Sequence, residues 1–138
     1  MRAIRARNTR PELRLRRALH AAGLRYRLHD KKLPGSPDLV FPRYQAVLFV
    51  HGCFWHRHGC SRSTLPATRA DFWSEKLEAN RQRDLKVRAA LLAMGWRVGV
   101  VWECALKAKV EGGVSDTALA VANWLTGSNT DFELPPNC

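Results

Sequence analysis

Asp38-Leu39-Val40-Phe41-Pro42-Arg43-Tyr44-Gln45-Ala46-Val47-Leu48-Phe49-Val50-His51 is the stretch whose pattern decides the fold. Two apolar runs, 38–41 and 46–50, flank a Pro42-Arg43-Tyr44 turn, which predicts two strands joined by a short connection. The second run is apolar on both faces of a period-two pattern, so it belongs at the centre of a sheet covered on both sides.

Upstream, Thr9-Arg10-Pro11-Glu12 reads as a capping box, with Thr9 at the N-cap and Glu12 reaching back from the first turn. Leu15, Ala18, Leu19 and Ala22 follow at helical spacing, and Gly23 supplies the stop. Residues 26–29 read as a short strand. The loop 31–37, with Pro34, Gly35 and Pro37, then carries the chain to Asp38. Downstream, Thr68-Arg69-Ala70-Asp71 repeats the capping logic and opens a long helix to Met94, closed by Gly95. Residues 96–102 form another buried strand. A last helix runs from about Ser115 to Thr126, before a tail rich in Ser, Asn and Pro that should fray.

The expected order is therefore α-β-β-β-α-β-α, an α/β fold with a small mixed sheet flanked by helices. One domain should span 1–127, with a flexible tail over 128–138. The restriction-endonuclease-like nuclease core has the same order, which at this point is an analogy of topology.

The 138 residues suit one domain and one site. Lys and Arg number 23 against 12 Asp and Glu, a formal charge of +11, so a polyanion is the expected partner. Nucleic acid fits better than a membrane, because the basic residues are spread over several segments and no apolar run is long enough to span a bilayer. The first residues, MRAIRARNTR, lack the apolar stretch of a secretory signal, so a cytoplasmic location is expected. Four cysteines in that compartment point to metal binding or plain burial rather than disulfides.

The metal reading is concentrated in His51-Gly52-Cys53-Phe54-Trp55-His56-Arg57-His58-Gly59-Cys60. Cys53, a histidine and Cys60 offer soft and borderline ligands within eight residues, and Cys104 follows a strand that can return to the same sheet end. Such a set suits a closed, tetrahedral, structural Zn²⁺. Spacing leaves His56 and His58 interchangeable as the histidine ligand, with Cys138 the weaker choice for the fourth position.

A second site gathers around Asp38, a carboxylate at the entrance to an apolar strand, where lost solvation calls for a compensating cation. Mg²⁺ meets that need with only one or two protein carboxylates. Nucleases of this architecture usually place an acid and a lysine on the next strand; here it ends Phe49-Val50-His51. Proton transfer must then fall to histidine, His51 or whichever of His56 and His58 is not a zinc ligand. Glu12 is the nearest extra carboxylate, and capping competes for its side chain. Phe54 and Trp55, on a loop between metal ligands, are candidates for wedging between bases, and Trp73 beside Phe72 divides evenly between wedge and core. Trp96, Trp102 and Trp124 read as core.

Together these residues resemble the very-short-patch-repair (Vsr-type) mismatch endonuclease family. The matching segments are Pro34-Gly35-Ser36-Pro37-Asp38, the loop from His51 to Cys60, Pro66-Ala67-Thr68-Arg69 with Phe72-Trp73 and Glu75-Lys76, Gly95-Trp96-Arg97-Val98, and Val101-Trp102-Glu103-Cys104-Ala105-Leu106. The resemblance implies a monomeric enzyme that nicks duplex DNA 5′ of the thymine in a T:G mismatch left by deamination of 5-methylcytosine, alongside other repair proteins. It implies Asp38 and the Val50 backbone carbonyl as Mg²⁺ ligands, His56 activating water with help from Glu12, and His51 near the scissile phosphate. Cys53, His58, Cys60 and Cys104 become the zinc ligands. Phe54, Trp55 and Trp73 intercalate, Met1 inserts from the other groove, and Lys76 and Asn80 contact the recognition sequence. Val50 stands where the family pattern has threonine, so only a main-chain role carries over. The basic segment that often precedes Met1 in relatives is missing, which implies a shortened chain or a weaker hold on DNA. Two alternatives stand beside this: a related Mg²⁺-dependent nuclease with another DNA target, and a non-catalytic zinc-stabilised DNA-binding module.

If zinc holds the loop, removing a ligand costs folding energy as well as activity. Cys60→Ala should lose zinc and unfold at markedly lower denaturant concentration; a zinc-free variant as stable as the parent would contradict the assignment.

Overall fold

Alternation along three strands sorts their side chains into two cores. The computed structural model describes residues 10–52, 69–106 and 113–134, apart from the side chains at 10, 11, 70 and 104. Its elements are α1 (Arg10–Ala21), β1 (Arg27–Leu28), β2 (Leu39–Phe41), β3 (Ala46–His51), α2 (Ala70–Ala93), β4 (Arg97–Trp102), α3 (Gly113–Thr126) and β5 (Asp131–Leu134). Leu39, Phe41, Ala46, Leu48 and Val101 share one core with Leu15 and Leu19 of α1 and Val121 and Trp124 of α3. Val40, Val47, Phe49, Val98, Val100 and Trp102 form the other with Leu91 and Val87 of α2. The result is a mixed sheet between two helices on one face and one on the other.

Both faces are closed because the central strands are apolar on both sides, as the 46–50 run requires. Leu15 and Leu19 are fully buried. Each contributes roughly 1.5–3 kcal/mol through that burial, enough to anchor a twelve-residue helix whose opposite side is arginine-rich.

The five strands lie in sequence order, antiparallel from β1 to β3 and parallel from β3 to β5. The β2–β3 turn closes through Gln45, whose N–H donates to Pro42 O at 3.1 Å in a left-handed conformation. This mixture of directions matters for the site. It brings the start of β2 and the carboxyl ends of β3 and β4 to one edge of the sheet, the edge where open α/β sheets hold ligands.

Two expectations are corrected. The tail does not fray from Ser128: residues 131–134 form β5, registered against β4 from Val98↔Asp131 to Val101↔Leu134. Its alternation explains why. Phe132 stacks on Trp124 at 5.3 Å on one face, while Glu133 accepts a 2.7 Å hydrogen bond from Trp102 Nε1 on the other. Arg97 secures the approach by donating to Asn129 O, Leu125 O and Trp124 O, its guanidinium 4.9 Å from the centre of the Trp124 ring. Without β5, the β4 ladder would be an open edge. The second correction concerns α2, whose N-cap is Arg69 in a left-handed conformation rather than Thr68. Its guanidinium sits 4.4 Å over the Phe72 ring, a cation–π contact.

The expected capping box at Thr9 lies outside the described residues. Trp102 and Trp124 are core residues as read, and Trp96 is half-buried.

Gly99 of β4 lies close against Trp124 and Leu48. A Cβ there would lie 2.9 Å from the Trp124 ring and 3.0 Å from Leu48 Cδ1. Gly99→Ala should therefore destabilise the fold by about 1–3 kcal/mol through overpacking. Urea unfolding checks this through a lower midpoint at unchanged slope.

Candidate active site

The loop that delivers Asp38 is built from turns. Asp30 Oδ1 accepts from Lys32 N at 2.9 Å, Leu33 N donates to Asp30 O, and Ser36 N donates to Leu33 O. Gly35 and Ser36 are both left-handed, at φ 75° and 46°. Gly35 has a second reason to be glycine, since a Cβ would come 2.5 Å from Val87 Cγ1 of α2. The loop is thus pressed against the helix layer, and Asp38 leaves it at a set height on the sheet edge.

Asp38 is buried, and its Oδ2 accepts a 2.7 Å hydrogen bond from the Val50 N–H. The pairing explains this bond. The β2–β3 ladder runs only from Phe41↔Ala46 to Leu39↔Leu48, so the next amide toward β2 has no strand partner, and Pro37 carries no N–H of its own. The Asp38 side chain takes the place of the missing strand. An anionic acceptor and a backbone donor at this length make a strong, orienting bond.

Beside it lies a buried charged cluster that crosses three elements. Glu12, fully buried on α1, has Oε2 3.1 Å from Arg16 Nη2, one turn along the helix, and 3.1 Å from His29 Nε2. The other imidazole nitrogen of His29, Nδ1, is 3.7 Å from Asp38 Oδ1. One ligand atom from each of Glu12, His29 and Asp38 fits within 4.8 Å, so the group can hold a metal ion. His29 itself is left-handed, at φ 47°, a conformation that costs a side-chain-bearing residue roughly 1–3 kcal/mol. Its N–H donates to Asp38 O at 3.2 Å, which continues the β1–β2 pairing by one residue. Tyr26 closes the far side, donating its hydroxyl to Arg16 O at 2.9 Å. Burial pushes that phenol above its usual pKa, with Arg16 and Arg25 partly offsetting it.

The remaining expected residues fall elsewhere. His51 ends β3 with its ring 5.5 Å from Phe49 and 5.3 Å from Trp102. There it lines a cleft of about 270 Å³ on the α2 face, with Arg81, Asp84 and Arg88. Trp73, Lys76 and Asn80 recur along α2 at spacings of three and four, which puts them on one side of the helix, all half-buried. Trp73 meets the exposed Phe72 edge-on at 5.4 Å, and Asn80 Oδ1 accepts from Arg83 Nη1 at 2.8 Å. Cys53, Phe54, Trp55, His56, His58, Cys60, Met1, Cys138 and the Cys104 side chain, on which the expected zinc site and intercalating loop fall, lie outside the described residues.

Reading the sequence missed His29 and Arg16. A signal for both was present: an antiparallel pairing of 26–29 with 38–41 makes His29 a neighbour of Asp38, and Arg16 stands four residues from Glu12 on a helix.

A family model described as DNA mismatch endonuclease Vsr matches residues 1–62. The type II nicking enzyme V.XorIIP of Xanthomonas oryzae pv. oryzae is 59% identical over 106 residues, spanning 77% of this chain and 78% of its own length. The DNA mismatch endonuclease Vsr of Escherichia coli is 43% identical over 136 residues, 97% of this chain and 86% of its own. The type II nicking enzyme V.NmeAIP of Neisseria meningitidis is 44% identical over 106 residues, covering 77% and 76%.

Proposed function

Because the chain belongs to the Vsr family of DNA mismatch endonucleases and is a strand-specific nicking DNA endonuclease, we propose that it nicks duplex DNA 5′ of the thymine in a T:G mismatch. Such mismatches arise when 5-methylcytosine is deaminated, and the nick begins very-short-patch repair. One observation carries the hydrolytic part of this reading: a buried carboxylate, Asp38, oriented by the Val50 amide and flanked by Glu12 at the carboxyl ends of the parallel strands. The sheet and helices around it suit a restriction-endonuclease-like core.

The donors present fit a hard divalent cation, since two carboxylates lie within reach of one ion and the Val50 carbonyl belongs to the residue bonded to Asp38. In our reading Asp38 and the Val50 carbonyl hold Mg²⁺. When bound, the ion supplies charge stabilisation for the attacking and leaving oxygens of in-line phosphodiester hydrolysis. Glu12 and His56 draw the proton from the attacking water, and His51, at the end of β3, serves the scissile phosphate and the leaving oxygen. Three thiolates and one imidazole, from Cys53, Cys60, Cys104 and His58, form a donor set suited to structural Zn²⁺. Phe54, Trp55 and Trp73 stack beside the mismatch, Met1 enters from the opposite groove, and Lys76 and Asn80 reach the recognition sequence from α2. The protein works as a monomer on double-stranded DNA. Its net charge of +11 favours that partner, and no helix among the described residues is long and apolar enough to cross a membrane.

A second reading keeps this chemistry and changes the target. It is favoured by the relatives that are named as type II nicking enzymes rather than mismatch endonucleases.

Duplexes that differ only in T:G against C:G, incubated with and without Mg²⁺, separate the two. The expected result is a single nick 5′ of the mismatched thymine that requires Mg²⁺, with Asp38→Ala reduced to background while mismatch binding is kept. Equal cutting of matched duplex would move the assignment to the second reading, and metal-independent nicking would overturn the role of Asp38.

A further inference from the structure

We propose that His29 is a positioning residue for the nicking reaction, set between Glu12 and Asp38 so that the Asp38 carboxylate keeps the orientation in which it holds the cation. The inference rests on the reading of Asp38 as the metal carboxylate.

The geometry is that of a brace. Asp38 Oδ2 is fixed by the Val50 N–H at 2.7 Å, and Oδ1 faces His29 Nδ1 at 3.7 Å. The first contact is a hydrogen bond; the second, longer than a hydrogen bond, limits rotation through steric contact. Behind the imidazole, Nε2 meets Glu12 Oε2 at 3.1 Å, and Arg16 holds that same oxygen from the other side at 3.1 Å. Glu12 therefore cannot retreat without giving up both of its 3.1 Å contacts, and His29 cannot swing without losing Glu12. The ring is confined from the main chain as well, because the His29 N–H donates to Asp38 O and the residue keeps a left-handed φ of 47°. A strained conformation held in place by contacts on both sides is what a fixed spacer between two carboxylates requires. Partners that orient a metal ligand in this way typically govern affinity for the ion by ten- to a hundredfold.

The test uses the full chain in four forms: parent, His29→Ala, His29→Gln and Asp38→Ala. Single-turnover nicking of a duplex that the parent cuts is measured across a Mg²⁺ titration. Mn²⁺ binding to each protein–duplex complex is followed by electron paramagnetic resonance, and duplex affinity is measured without metal. His29→Ala should raise the Mg²⁺ and Mn²⁺ concentrations needed for half-saturation by about tenfold or more while leaving metal-free duplex affinity unchanged. His29→Gln, whose amide nitrogen has two N–H donors for the two carboxylates, should recover most of that loss. Unchanged metal half-saturation in His29→Ala beside an inactive Asp38→Ala would overturn this inference alone. Metal affinity lost equally in Ala and Gln would overturn it in favour of direct ligation by the ring. Full activity in Asp38→Ala would sink the metal assignment and the inference together.

Discussion

The 2.7 Å hydrogen bond from the Val50 amide to Asp38 Oδ2 joins the start of one strand to the end of its neighbour, and the candidate active site is arranged around it. It exists because the β2–β3 ladder ends at Leu39↔Leu48, two residues before Val50, leaving a backbone donor that a side-chain carboxylate can reach. A buried carboxylate at a strand edge is costly unless it is hydrogen-bonded and its charge compensated. The Val50 amide meets the first need. The second is met, under our reading, by a cation.

Much of this follows from strand direction. With β2 antiparallel to β3 and β3 parallel to β4, Asp38, Val50, His51 and Trp102 all arrive at one edge. The two cores then divide the surroundings. Glu12 comes from the α1 side and joins Asp38 through His29, while His51 belongs to the α2 side with Phe49 and Trp102. The carboxylate cluster and the His51 cleft are thus built by different helices on one sheet. A shared sheet edge of this kind lets groups from distant parts of the chain serve a single phosphate, as the proposed division of labour among Asp38, Glu12 and His51 requires.

How far the sequence could be read depended on whether local pattern or long-range pairing carried the information. Strands β2, β3 and β4 and helices α1, α2 and α3 were legible, because apolar runs and helical spacing are local and their sums are large. Asp38 and Glu12 were legible as carboxylates in unusual places. The final strand was not, because the composition of 128–138 is that of a loop; only its pairing with β4, through Phe132 on Trp124 and Glu133 on Trp102, makes 131–134 a strand. His29 was missed for the same reason, since its importance comes from a cross-strand neighbour and a helix contact. The expected zinc loop is a different case: residue types and spacing suggest it in the sequence, and it lies outside the described residues.

Under the proposed function, Asp38 holds the cation at which the DNA strand is cut. Crystals of the protein with an uncleavable T:G duplex, soaked in Mn²⁺, test it by anomalous scattering. The prediction is a peak about 2.0–2.3 Å from an Asp38 carboxylate oxygen and a similar distance from the Val50 carbonyl. A peak at another set of residues, with Asp38 still bonded to the Val50 amide and not to the ion, would contradict it.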